Sequence, residues 1–283
     1  MKSRLNTYLS AGLVIALAVA SYGCEKLQAR DNLNKGVAAY KSAKYAEAAD
    51  YFQKSVELDP TFPTARLYLA TAYMSQYIPG AESDDNRKMY QMAKDNFLKV
   101  LEQSPGDKIA VASLASLAYS QAQGIPELEK KLEKLDEARE WYAKLAEVDP
   151  TNKEAFYSLG VIAWAKWYPA LMTARANLGM KAEDPGPLKD KKVKAELQQK
   201  YNGTIADGLK NLEKALEIDK EYDDAMAYMN LLIRERADLA ETPEDYKKDI
   251  ETADNWVQKA LETKKIKAAR TPAVGGIIQE EAK

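Results

Sequence analysis

Small and large residues return along this chain with a fixed beat, and that beat constrains the fold more than anything else in the sequence. A small residue stands at Ala48, Ala93, Ala138, Gly208 and Ala253, and four positions after each comes a large one, Phe52, Phe97, Tyr142, Leu212 and Val257. Three further on are Ser55, Val100, Leu145, Ala215 and Ala260; five beyond those are Pro60, Pro105, Pro150, Lys220 and Lys265. The i, i+4, i+7 spacing is one face of a helix, and proline closes it. A second register precedes each of these helices at Gly36, Ala70, Ala115, Gly160 and Asn230, with Leu69, Leu114, Leu159 and Met229 just before the last four. Small residues at a fixed place let two backbones approach while the neighbouring knob fills the groove. The pattern predicts an all-α solenoid of about five antiparallel helix pairs over residues 31–265.

Gly36 with Tyr40, Tyr45, Ala48, Phe52 and the ending Glu57-Leu58-Asp59-Pro60 resembles the tetratricopeptide repeat family, and Val148-Asp149-Pro150 and Ile218-Asp219-Lys220 repeat that ending. The first unit has the family's standard length. Units two, three and five place 23 positions between their two small residues where the first has 12, an addition of 11. Eleven residues are close to three helical turns, so both helices can lengthen with their buried faces in phase. The turns are expected near Pro79-Gly80, Gly124-Ile125-Pro126 and Thr242-Pro243. Unit four, with 48 positions between Gly160 and Gly208, needs an inserted helical hairpin at about residues 165–203, broken at Asp184-Pro185-Gly186-Pro187 and kinked near Pro169. An insertion of that length adds no stacking to a repeat array, so it is expected to serve a partner or self-association.

Composition removes whole classes of chemistry. The chain has no histidine and one cysteine, Cys24. Zinc sites built on His or Cys, Ser-His and Cys-His nucleophilic pairs and redox dithiols therefore have no residues to use. No glycine-rich phosphate loop occurs and no serine has lysine three residues later, so nucleotide and Ser-Lys chemistry lack a footing. The formal charge is −2, or −4 without Lys2 and Arg4, and lysines are interspersed with acids, which gives nucleic-acid binding no support. No cofactor or metal is expected.

The first 23 residues read as a signal peptide: Lys2 and Arg4, an apolar stretch centred on Leu13 to Ala20, then small residues. Ser21-Tyr22-Gly23-Cys24 resembles a bacterial lipobox, in which a small residue precedes the acylated cysteine. Gly23 and Cys24 match it; Ser21 departs from the usual leucine-like residue, and Ala18-Val19-Ala20 offers an ordinary cleavage site as a competitor. Exported proteins avoid lone thiols, yet the only cysteine sits where acylation needs it. Cys24 is thus the expected lipid attachment point, followed by a linker at 24–30 and, beyond the repeats, a mobile tail at 266–283.

The resemblance implies a non-catalytic scaffold that binds a protein or peptide along the helix-one faces. A Lys three before and an Asn one after each small position clamp a terminal carboxylate in chaperone-binding members of the family. Here those places hold Leu33, Leu67, Ala112, Tyr157 and Ala227, then Val37, Thr71, Ser116, Val161 and Leu231, so that clamp is absent. The expected groove is instead lined by Tyr40, Tyr68, Thr71, Met74, Ser113, Ser116, Tyr119, Trp164 and Tyr228, with Trp167 beside them. Rings and hydroxyls of this kind suit an extended or helical apolar segment. The expected setting is the periplasmic face of a bacterial envelope, anchored in the outer membrane, with barrel-assembly help as the specific role. A rival reading is a carboxylate-based cell-wall enzyme or its accessory, which requires two carboxylates ~5 to 9 Å apart in a cleft.

Overall fold

A computed structural model describes residues 24–181 and 183–270; the predicted signal peptide and Thr271 to Lys283 lie outside the described residues. Every regular element among those residues is helical. They are α1 (residues 24–41), α2 (Tyr45–Leu58), α3 (Pro63–Met74), α4 (Asp84–Gln103), α5 (Lys108–Gln123), α6 (Leu128–Val148), α7 (Lys153–Asn177), α8 (Lys191–Ile218), α9 (Asp223–Arg236), a 3₁₀ turn (Ala237–Leu239) and α10 (Pro243–Arg270). None of the described helices is long and apolar enough to cross a membrane. The chain divides into two compact units, Met1–Lys144 and Leu145–Lys283.

In unit 1, successive helices pack as neighbours from α2 through α5, and α3 also meets α5. The registers read from sequence are its contacts. Ala48, Phe52, Ala70, Ala93, Phe97, Ala115 and Ala138 are fully buried. A Cβ on Gly36 would lie 2.4 Å from the Phe52 ring, so the first helix pair closes only around glycine. Burying each phenylalanine contributes roughly 1.5–3 kcal/mol. Ser55 ties α2 to α1 by donating to the Ala29 carbonyl at 2.7 Å. The 24–30 stretch, expected as a linker, therefore forms the first turns of α1, with Cys24 exposed at its beginning.

The aspartate endings act as stops through their side chains, and two of them, before Pro60 and Pro150, through proline as well. Asp59 accepts from the Thr61 amide and hydroxyl, Asp149 from the Thr151 hydroxyl and Asp219 from the Glu221 amide. Each caps the turn between two helices. All three expected turns fall between helices, but the added residues are not shared evenly within each pair. They enter mainly the loops and the N-terminal turns of α4, α6 and α10, while α3 stays short. A loop and one extended partner satisfy the phase requirement as well as two extended helices do.

Unit 2 packs α7 on α8, both on α9, and α9 on α10. The unit-four insertion is the prolongation of α7 and α8, joined by a strap whose described residues are 178–181 and 183–190. It is not a projecting hairpin. Leu171, Leu188 and Ile205 join Leu212, Met229 and Leu232 in one core, so the inserted residues build the unit and their expected service to self-association loses its motive. α7 continues unbroken through Pro169. α10 also continues to Arg270, so five residues assigned to the mobile tail are helical.

Candidate functional site

The structure divides the predicted groove residues into three groups. In unit 1, Tyr68, Thr71 and Met74 share one face of α3. The Tyr40 hydroxyl reaches that face at Ser75, 2.8 Å away. Much of this polarity is spent within the fold: Thr71 donates to the Leu67 carbonyl at 2.8 Å and Ser75 to the Thr71 carbonyl at 3.0 Å. Tyr40 leans on Tyr45, and Tyr68 stacks on Phe52 at 5.4 Å while remaining 39% exposed. A second group, Ser113, Ser116 and Tyr119, shares a half-buried face of α5. Tyr119 meets Tyr142 edge-on, and burial raises its phenol pKa.

The third group lies in unit 2 and is larger than expected. Tyr222, Tyr157, Tyr228, Trp164 and Tyr168 form a ladder with centroid separations of 5.0, 5.6, 5.6 and 5.0 Å in that order. α7 supplies Tyr157, Trp164 and Tyr168 at helical spacing, and α9 inserts Tyr228 between them. Such pairs add ~0.5–1.5 kcal/mol each beyond area burial. Trp167 does not belong here. It points the other way, is 0% exposed and packs on Tyr201 of α8, which makes it a core residue and corrects its assignment to a partner surface.

The ladder ends at a cleft of about 390 Å³ whose chemistry was not anticipated. Trp164 donates its indole N–H to Glu235 Oε1 at 2.9 Å, whereas Glu235 Oε2 is buried with no hydrogen-bond partner. Burial raises the Glu235 pKa to about 7 against the pull of that indole, and Asp238 pushes in the same direction. On the cleft's other side, Arg175 and Asp238 form an ion pair with side chains 5% and 7% exposed. Arg175 also donates to the carbonyls of Lys181 and Asp184, so its guanidinium holds the strap down. Burial raises the Asp238 carboxyl above the usual range even beside this arginine.

Two further bonds fasten the strap. Leu188 N–H donates to the Asp238 carbonyl at 2.9 Å and Gly186 N–H to the Tyr246 hydroxyl at 3.0 Å. A Cβ on Gly186 would meet Asp238 Oδ1 at 2.0 Å, so only glycine passes there. Sequence reasoning missed Glu235, Arg175 and Asp238, although two carried a signal. Glu235 falls seven residues after Tyr228 on one helical face, and Arg175 continues the Trp164, Tyr168, Leu171 stripe. A charged residue in an otherwise apolar stripe marks a buried polar site.

Comparison with known proteins agrees with this architecture. Residues 29–62 match the tetratricopeptide repeat family. No curated protein matches the chain. Among solved structures, a crystal structure of MamA protein aligns at 13% identity and TM-score 0.50, covering 88% of this chain and 98% of that one. A double mutant titled MamA RS-1 ArsTM aligns at 15% and 0.50, covering 86% and 97%. TTC0263, a thermophilic TPR protein of Thermus thermophilus, aligns at 18% and 0.40, covering 72% and 99%. At such identities the likeness to MamA is one of fold. Residues 29–62 thus carry a tetratricopeptide-repeat sequence, and the described helices pack in adjacent pairs in the all-α manner of the MamA fold.

Proposed function

We propose that this chain is a non-catalytic scaffold that captures a protein partner on the periplasmic face of a bacterial envelope. The tetratricopeptide fold is one for protein–protein interaction. The aromatic ladder of unit 2 carries the more specific reading, because its half-buried rings, Tyr157, Trp164, Tyr168 and Tyr228, braced on the buried Tyr222, present area to a partner at low entropic cost. The lipobox-like Gly23-Cys24 supports an anchor at Cys24, and the signal-peptide pattern before it supports export. An outer-membrane location and help in barrel assembly complete this reading; they rest on the likeness of the chain to exported repeat lipoproteins.

The test is capture from solubilised envelope by the mature chain, compared with Trp164→Ala combined with Tyr228→Ala. Loss of the captured protein by about tenfold or more, with the variant still folded, is the expected result. Equal capture by the folded variant sinks the ladder as the binding surface. Mass spectrometry of the mature N-terminus separately decides the anchor, since a chain beginning at Ser21 with a free thiol excludes it.

The rival enzyme reading draws on one observation: Glu235 and Asp238 both line the cleft, and Glu235 titrates near 7, as a general acid would. Asp238, however, is committed to Arg175 and nearly inaccessible, so it is not free to serve as base or nucleophile. Release of reducing sugar from cell-wall glycan, lost in Glu235→Gln, would favour the rival.

A further inference from the structure

The cleft beside the ladder has a charge imbalance that selects what can enter it. Four acids line it, Glu183, Asp184, Glu235 and Asp238, against two arginines. Both arginines are occupied, Arg175 by Asp238 and Arg234 by Asp254. Among the described residues Glu183 and Glu235 enter no ion pair, and Glu235 Oε2 has no donor. Around this acid lie apolar walls from Leu171, Met172 and Ile250 and the ring of Tyr168. An alkyl stem ending in a cation matches such a lining, as the stem buries against the walls and the charge meets carboxylate and ring.

Resting on the scaffold reading, we propose that this cleft takes a lysine side chain of the captured protein, with its ammonium on Glu235. Lysine is favoured over arginine because Trp164 already occupies Oε1. One carboxylate oxygen is left for a single-point donor, whereas a forked guanidinium gains most from two. Binding of the cation ionises Glu235, so complex formation releases a proton below about pH 7. The other charged or titratable groups facing Glu235 are Asp238 on the 3₁₀ turn, Arg175 and Tyr168 on α7, Glu183 and Asp184 on the strap, Arg234 on α9 and Tyr246 on α10.

The probe is N-acetyl-lysine methylamide, titrated into the whole chain and read from the Trp164 indole N–H resonance, which is identified by its loss in Trp164→Phe. A saturable shift is expected at pH 8, about tenfold weaker at pH 6 as the acid takes up its proton. Glu235→Gln keeps an acceptor for the indole and should reduce binding by about tenfold or more. The arginine counterpart of the probe should bind more weakly. Absence of a shift, or an equal shift in Glu235→Gln, overturns the proposal, and tighter binding of the arginine probe overturns the choice of lysine. Full partner capture by Glu235→Gln alongside lost capture by the Trp164 and Tyr228 double variant would leave the scaffold standing and remove the lysine. Unchanged capture in both variants would remove the ladder as well.

Discussion

The two units use aromatic and polar side chains in opposite ways. In unit 1 the tyrosines and hydroxyls close within the helix stack: Tyr40 on Ser75, Ser75 and Thr71 on carbonyls one turn back, Tyr68 on Phe52. One of its tightest fits is apolar, between Gly36 and Phe52. Unit 2 instead buries charge, with Arg175 and Asp238 paired under the strap and Glu235 half-satisfied beside a five-ring ladder. Burying an acid with one donor costs stability that packing must offset. In unit 1 the polar groups serve the stack; in unit 2, where α7 and α8 were prolonged, room appeared for groups the stack does not need. That contrast locates the chemistry in unit 2.

The comparison is most strongly tested by breaking the buried pair. Arg175→Met leaves Asp238 charged and unpartnered, so unit 2 should lose about 3–5 kcal/mol. Hydrogen exchange should show lost protection across 153–270 with 24–144 retained; uniform loss would mean that the units share one stability. Glu235→Gln should act in the other direction and depend on pH. The folded chain holds this proton between the ordinary 4.5 and about 7, whereas the unfolded chain has released it, so stability falls as pH rises through that window. The amide removes that loss: a gain of up to about 3 kcal/mol is expected at pH 8 and almost none at pH 4. Urea unfolding at the two values checks this, and an equal gain at both would rule out titration as the cause.

Unit 1 should respond to shape. Gly36→Ala forces a methyl against the Phe52 ring and should cost about 1–3 kcal/mol, largely recovered by adding Phe52→Leu. Failure of that second change to rescue would mean that the strain lies elsewhere. The smallest effect is expected at Ala43, whose φ of 57° places it in the left-handed region between α1 and α2. Ala43→Gly relieves this and should stabilise unit 1 by up to about 1 kcal/mol, measured as a raised melting temperature.

The helix pairs were legible because their code is local and repeated. Ala48, Ala93, Ala138 and Ala253 announce the same contact four times, and the stops at Asp59, Asp149 and Asp219 reuse one device. The site was less legible because it is built once, from separated segments. Nothing near Arg175 in sequence points to Asp238, 63 residues away, and nothing near Glu235 points to Trp164, 71 residues before it. Trp167 was misplaced for a related reason: three positions from Trp164 it shares much of the helix surface, and only the returning α8 assigns one ring to the core and leaves the other for the ladder. The insertion was misjudged because repeat arithmetic treats added residues as surplus, while Leu171 and Leu188 show them filling a core.

The strap also has a history in time. Its fastenings join Arg175 to Asp238 and Gly186 to Tyr246, spans of 63 and 60 residues, in a molecule whose helices mostly meet their sequence neighbours. During synthesis those 60 or so residues take about 3–12 s to emerge, far longer than a helix pair needs to form. Through that interval the Arg175 guanidinium stands in water and the cleft does not exist. Closing a long loop comes late because its entropy must be met before its contacts return anything. Contacts made late govern how fast unit 2 opens and hardly touch how fast it folds, so the lifetime of the cleft is set by the strap, while the rate at which the chain becomes a repeat protein is set by the helices beneath it.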